Sequence, residues 1–270
     1  MTVAGAAILL ATGAAVGLVS GLAGIGGGVL MVPLLYAYYD VVGADVPSAV
    51  AHATSLAVIA PTALHGALRF ARYDLVAWRA ALAMGGGAAA AALPAALLAA
   101  RVPDPALRAG FALFLLLTAA RMALPYRRRD DATDRAPGAT SALVAAGVLV
   151  GTLSALLGVG GGVVAIPLLY NVGRLPLRQL APTSLAVIAP AAATGAITYA
   201  LSAGGAPALG WSLGMVDVGA AAALVAGSLP LVAAGARLNI RVPEPALRVG
   251  LAVLLAGVAA RLLWGLPWFS

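Results

Sequence analysis

Two glycine clusters are the residues in this chain whose types and spacing could most directly do chemistry. Gly24-Ile-Gly26-Gly27-Gly28 is followed by Pro33, and Gly158-Val-Gly160-Gly161-Gly162 by Pro167. Glycine inside a helix costs about 1 kcal/mol relative to alanine, and it permits positive φ and close backbone approach. Three in a row predict a broken helix. The helix that restarts after the break would offer free N–H groups and a positive dipole end to an anion. The competing reading is tight helix packing through small residues, the role expected of Gly13, Gly17 and Gly21. Because the cluster occurs twice, each time with a proline five residues after its last glycine, Gly26, Gly27, Gly28, Gly160, Gly161 and Gly162 are expected to bind substrate through their backbone. No lysine follows either cluster, so a phosphate-binding P-loop is excluded.

A second duplicated block is Thr54-Ser55-Leu-Ala-Val-Ile-Ala-Pro61, repeated as Thr183-Ser184-Leu-Ala-Val-Ile-Ala-Pro190. Pro61 and Pro190 free the carbonyls of Ala57 and Ala186 and predict a helix kink. The paired hydroxyls of Thr54, Ser55, Thr183 and Ser184 are expected to donate to substrate, against the alternative of bonding back to their own helix. His52 and His65 are the two histidines. An ionisable group within a span is a functional candidate by default, and histidine carries protons near neutral pH. Thr54 and His65 stand eleven residues apart, about 20° apart around a helix after whole turns. Thr183 and Thr194 repeat that spacing, so His52, His65 and Thr194 are expected on a proton or substrate pathway. Two histidines without cysteine or intramembrane carboxylates make a poor metal site. Neither a metal nor any other cofactor is expected, and without a catalytic constellation the chain reads as a non-enzyme.

Asp74 and Asp217 are read as N-caps of equivalent helices. Tyr36, Tyr170, Trp211, Trp264 and Trp268 are read as interfacial anchors, with a pathway role left open for Tyr36 and Tyr170.

The elements that must position these residues follow from composition. The chain has 270 residues, 63% hydrophobic and 9% charged, with no cysteine, and a mean hydropathy of +1.03. Ordinary globular chains are about 25% charged. A soluble globule, a disulfide module, a nucleic-acid-binding domain and a disordered tail are all excluded. The net charge of +7 comes from arginines at expected loop positions, where they act as topology determinants rather than as a nucleic-acid site. No basic n-region marks a cleaved signal peptide. At roughly 20 residues per span the chain holds about eight to ten crossings. Apolar segments fall at residues 3–23, 29–39, 47–68, 75–100 and 105–124, then at 141–157, 163–170, 180–201, 216–236 and 245–264. No alternating strand pattern is present, so these are helices.

The duplication extends to Arg101-Val-Pro-Asp-Pro-Ala-Leu-Arg108 and Arg241-Val-Pro-Glu-Pro-Ala-Leu-Arg248. The expected organisation is a first transmembrane repeat at 1–126, a polar linker at 127–139 and a second repeat at 140–270. Arginine bias swaps between equivalent loops: residues 40–48 carry two Asp where residues 171–179 carry Arg174 and Arg178, while Arg69, Arg72 and Arg79 face a basic-free partner loop. The positive-inside rule then favours inverted repeats. Five segments per half, counting the short one after each break, give the odd number that inversion requires. The fold class is an all-α polytopic bundle of two homologous halves with glycine-broken helices.

The two glycine blocks, His52-Ala-Thr54-Ser55 and their copies, with Arg72-Tyr-Asp74 and Gly214-Met-Val-Asp217, resemble the TauE/SafE sulfite exporter family over essentially the whole chain. The resemblance implies a multi-pass protein of the prokaryotic inner membrane that moves sulfite, thiosulfate or an organosulfonate. It implies about eight spans in two four-span units, so an inverted arrangement needs the break to create an extra segment. The reading is a secondary carrier with alternating access around a midplane site between the repeats. Its partners are a small sulfur-containing anion, a coupling proton or cation, membrane lipid and a second copy in a homo-oligomer. The alternatives are an anion channel or a non-transporting membrane assembly factor, with an intramembrane serine hydrolase more remote.

Overall fold

The computed structural model describes residues 3–23, 27–123, 138–202, 211–239 and 244–264. Gly26, Trp268 and residues 127–137 of the linker lie outside the described residues. Each half opens on a long helix that ends at the glycine cluster, continues with a short helix and closes with three long ones. In the first half these are α1 (Val3–Ala23), α2 (Gly28–Val41), α3 (Ser48–Ala71), α4 (Trp78–Ala99) and α5 (Asp104–Ala123). In the second they are α6 (Thr140–Leu157), α7 (Gly162–Asn171), α8 (Leu177–Leu201), α9 (Val218–Asn239) and α10 (Glu244–Trp264). A two-residue antiparallel hairpin, β1 (Ser212–Leu213) with β2 (Val216–Asp217), precedes α9. Among the described residues four helices are long and apolar enough to cross a membrane, within α1, α4, α6 and α8.

The halves pack by exchanging partners. The first helix of each half lies on the fourth helix of the other: α1 on α9, and α6 on α4. Small residues set both approaches. A Cβ at Gly13 or Gly17 would strike the backbone of Leu224 or Ser228, and one at Gly147 or Gly151 the backbone of Met84 or Ala88. This is the packing expected of the α1 glycines, repeated in the second half. At the centre α3 crosses α8. Gly66 sits beside Leu185 and Gly195 beside Leu56, so the two equivalent helices run antiparallel. The helices α5 and α10 also pack together.

Two expectations are corrected. Tyr36 is not an interfacial anchor: it is 5% exposed, inside the main core cluster. The reason is its bond to the buried His52. Trp211 and Trp264 are highly exposed. Asp74 does not cap α4. It is an exposed turn residue at φ 54, and Ala77, which has no capping side chain of its own, holds the N-cap position. Asp217 does cap α9, accepting from the Ala220 N–H at 2.9 Å. The structural counterpart of Asp74 is Gly214, at φ 55. The offset matches that of the duplicated Arg-Val-Pro blocks and pairs Ala77 with Asp217.

Candidate functional site

Both glycine clusters break a helix by entering the left-handed region. Gly27 has φ 69 and Gly161 φ 76, each as the N-cap of its short helix, and Gly158 and Gly160 are left-handed as well. A Cβ disfavours that conformation, which explains why glycine stands there. Neither N-cap carries a side-chain bond. The first intrahelical acceptors are the carbonyls of Gly27, bonded by Leu30 and Met31, and of Gly161, bonded by Val164 and Ala165. The N–H groups of Gly28, Val29, Gly162 and Val163 precede these bonds and point out of the helix start.

The two breaks meet. A Cβ on Gly28 would collide with the Val159 carbonyl, and one on Gly160 would lie 2.8 Å from Ile59 and 3.3 Å from Ile188. Gly27, Gly28, Gly160, Gly161 and Gly162 are all buried. The structure therefore brings together the clusters that stand far apart in sequence, on the seam where α3 crosses α8.

The duplicated hydroxyls lie around this seam, fully buried. Thr54 Oγ1 accepts from the Asp217 N–H at 3.0 Å, at the start of α9. Thr183 Oγ1 accepts from the Ala77 N–H at 3.0 Å, at the start of α4. Each threonine thus caps the fourth helix of the other half, and Thr54 also hydrogen-bonds the Tyr39 hydroxyl. Ser55 Oγ donates to the Gly158 carbonyl at 2.7 Å. Ser184 Oγ is buried without a partner.

His52 is completely buried. Its Nδ1 lies 2.9 Å from the Leu156 carbonyl and its Nε2 2.7 Å from the Tyr36 hydroxyl. A carbonyl only accepts, so Nδ1 carries the proton and Nε2 accepts from Tyr36. Phe111 flanks both rings, and the Arg108 guanidinium sits 5.1 Å over Tyr36 while donating to Ser48 at 2.9 Å. Asp104 accepts from the Ser48 N–H at 2.9 Å, holding the start of α3.

His65 does not join this group. It is exposed, and Thr194 is half-buried, so the polar face of α3 leaves the core between Thr54 and His65. Pro61 and Pro190 are exposed on an apolar cleft between α3 and α8 that Trp78 also lines. Among the described residues no three metal-ligating side chains converge.

One residue escaped the sequence reading. Ser154 is fully buried, its hydroxyl unpartnered, with its side chain against Gly161. The signal was present: Ser20 and Ser154 each stand four residues before the first glycine of their cluster.

With this geometry in place, comparison with known proteins is informative. Residues 9–262 match the family described as sulfite exporter TauE/SafE. A protein of Methanocaldococcus jannaschii named "probable membrane transporter protein" is 31% identical over 195 residues, 71% of each chain. Proteins given the same description are 27% identical in Haemophilus influenzae, over 93% of this chain and 96% of the relative, and in Bacillus subtilis, over 72% and 78%. No solved structure matches the chain.

Proposed function

Because the chain belongs to the TauE/SafE sulfite exporter family of membrane transporters, we propose that it is a secondary carrier of a small sulfur-containing anion such as sulfite, thiosulfate or an organosulfonate. The observation that carries this reading is the pair of uncapped, buried short-helix starts, the first packed on the Val159 carbonyl of the second break at the α3–α8 crossing. Broken helices whose N-terminal ends face a central site are how carrier folds bind anionic groups near the bilayer midplane. Gly28, Val29, Gly162 and Val163 supply N–H donors, presented by the N-caps Gly27 and Gly161; Thr54, Thr183 and Ser184 supply hydroxyls; Ser55 holds the α6 break through Gly158. His52 is the candidate for proton coupling, one bond from the break. Nothing in this site calls for a catalytic nucleophile, and transport without chemistry is the reading.

The repeats are proposed to be inverted, with 1–126 and 140–270 as the exchanging units. Support comes from the antiparallel crossing of the equivalent helices α3 and α8. The chain has no cysteine, so single cysteines at Val42 and Arg174 report their side of the membrane without background. Inversion places them on opposite sides, and labelling of both from one side sinks it.

Reconstitution in proteoliposomes tests the carrier. Saturable sulfite flux that follows an imposed gradient and competes with thiosulfate or taurine is the expected result. Linear, non-saturating conductance would make the protein a channel, and absence of any flux would favour an assembly factor.

A further inference from the structure

We infer that Ser154 is a substrate-binding residue, its hydroxyl completing a donor-only pocket at the start of α7 that takes one oxygen of the bound anion. The inference rests on the carrier reading above and adds to it a contact that neither duplicated block contains.

A hydroxyl on a helix has an ordinary way to be satisfied, which is to bond the carbonyl four residues earlier. This chain uses it repeatedly. Thr152 bonds Val148 at 2.8 Å, Thr198 bonds Thr194 at 2.8 Å and Ser202 bonds Thr198 at 2.7 Å. For Ser154 the corresponding acceptor is the Val150 carbonyl, yet its Oγ makes no bond while being fully buried. Unsatisfied buried polar atoms are rare in native proteins and each calls for an explanation.

The surroundings supply one. A Cβ on Gly161 would lie 2.7 Å from Val150 Cγ1, 3.2 Å from the Val150 carbonyl oxygen and 3.4 Å from Ser154 Cβ. Ser154 therefore lies directly against the N-cap of α7. That helix has ten residues and no side-chain cap, and its first carbonyl acceptor is already used by Val164 and Ala165. The N–H groups of Gly162 and Val163 have no intrahelical acceptor, and the buried Ser154 side chain, whose hydroxyl is unpartnered, packs on the same N-cap. A bound ligand would supply the missing acceptor, and the positive end of the helix favours an anion over a cation. In the first half a half-buried serine takes the equivalent place: a Cβ on Gly27 would lie 3.1 Å from Ser20 Cβ and 3.2 Å from its Oγ.

The test is Ser154→Ala in proteoliposomes, with sulfite as the probe. Loss of one hydrogen bond to a charged acceptor raises KM about tenfold, while Vmax per inserted protein stays within about twofold. An unchanged KM, or a fall in Vmax at unchanged KM, would overturn the assignment in favour of a packing role. A second measurement separates this from failure of the carrier reading. Sulfite should raise the melting temperature of the purified wild-type protein and do so about tenfold less sensitively in Ser154→Ala. Wild-type stabilisation without flux would reject the carrier while leaving Ser154 assigned. Identical sulfite titrations of the two proteins would reject Ser154 whatever the flux.

Discussion

The two helix breaks share one backbone design and differ in how they are held. Each has a left-handed glycine N-cap, no side-chain cap, and a threonine that crosses to the fourth helix of the opposite half. At the end of α6, however, three side chains bind the terminal carbonyls. Tyr199 donates to Ala155 at 3.0 Å, His52 to Leu156 at 2.9 Å and Ser55 to Gly158 at 2.7 Å. Two of the three come from the first half. The repeat counterparts of these three residues are Phe70, Ala181 and Ser184, of which only the serine can donate, and its hydroxyl has no partner. The last carbonyls of a helix lack intrahelical partners, so the donors clamp the second break. Among the described residues, duplication preserved the left-handed glycine geometry while the residues that fasten it differ.

The largest expected effect bears on what the halves share. Gly161→Val and Gly27→Val should each abolish sulfite flux while the protein still inserts, because a branched residue is strained at φ 76 or 69. Gly161→Val should be the more severe. Its Cβ would press within 2.7 Å of Val150, whereas Gly27 would meet Ser20 and Val16 side chains at 3.1 Å. Normal flux in both variants would remove the shared site altogether.

Next comes the clamp. His52→Ala strips the donor from Leu156 and the acceptor from Tyr36, and it leaves a cavity. A cost of about 3 kcal/mol follows from the two unsatisfied groups and the lost packing, read as a fall in melting temperature in detergent. Ser55→Ala removes one hydrogen bond and should cost about 1 kcal/mol. Its counterpart Ser184→Ala removes a hydroxyl that has no partner, so apo stability should hold or rise slightly. Equal losses from the two serines would erase the asymmetry between the breaks.

How much of this was legible in the sequence follows the same division. The span read at 3–23 coincides with α1, and the short segments read at 29–39 and 163–170 are α2 and α7 to within two residues. Hydropathy, glycine runs and duplication are local or self-referential signals, and a single chain displays them. Partner exchange between halves was hidden, since nothing in Gly13 or Gly147 names Leu224 or Met84 as the backbone it will touch. His52 was singled out as ionisable, but its partners Tyr36 and Leu156 are set by tertiary packing. Ser154 went unnoticed because a lone serine in an apolar helix looks like any other. Its meaning lies in a bond that is not made, which only coordinates reveal.

The smallest expected effect concerns the pairing of Asp74 with Asp217, where a repeated residue type suggested a repeated role. Asp217 is buried, accepts from the Ala220 N–H at 2.9 Å and lies 3.4 Å from the Tyr39 hydroxyl. Removing an N-cap carboxylate costs about 1 kcal/mol, so Asp217→Ala should lower the melting temperature measurably. Asp74 is exposed, and Asp74→Ala should stay within about 0.5 kcal/mol of wild type. Asp74→Gly should be neutral or stabilising, because φ 54 suits glycine and its structural counterpart is already Gly214. If Asp74→Ala proved as costly as Asp217→Ala, the register that pairs Ala77 with Asp217 would be wrong. The mirrored caps from Thr54 and Thr183 would then no longer mark equivalent helix starts. The comparison of the two breaks stands on that register, which makes this small measurement a direct check on it.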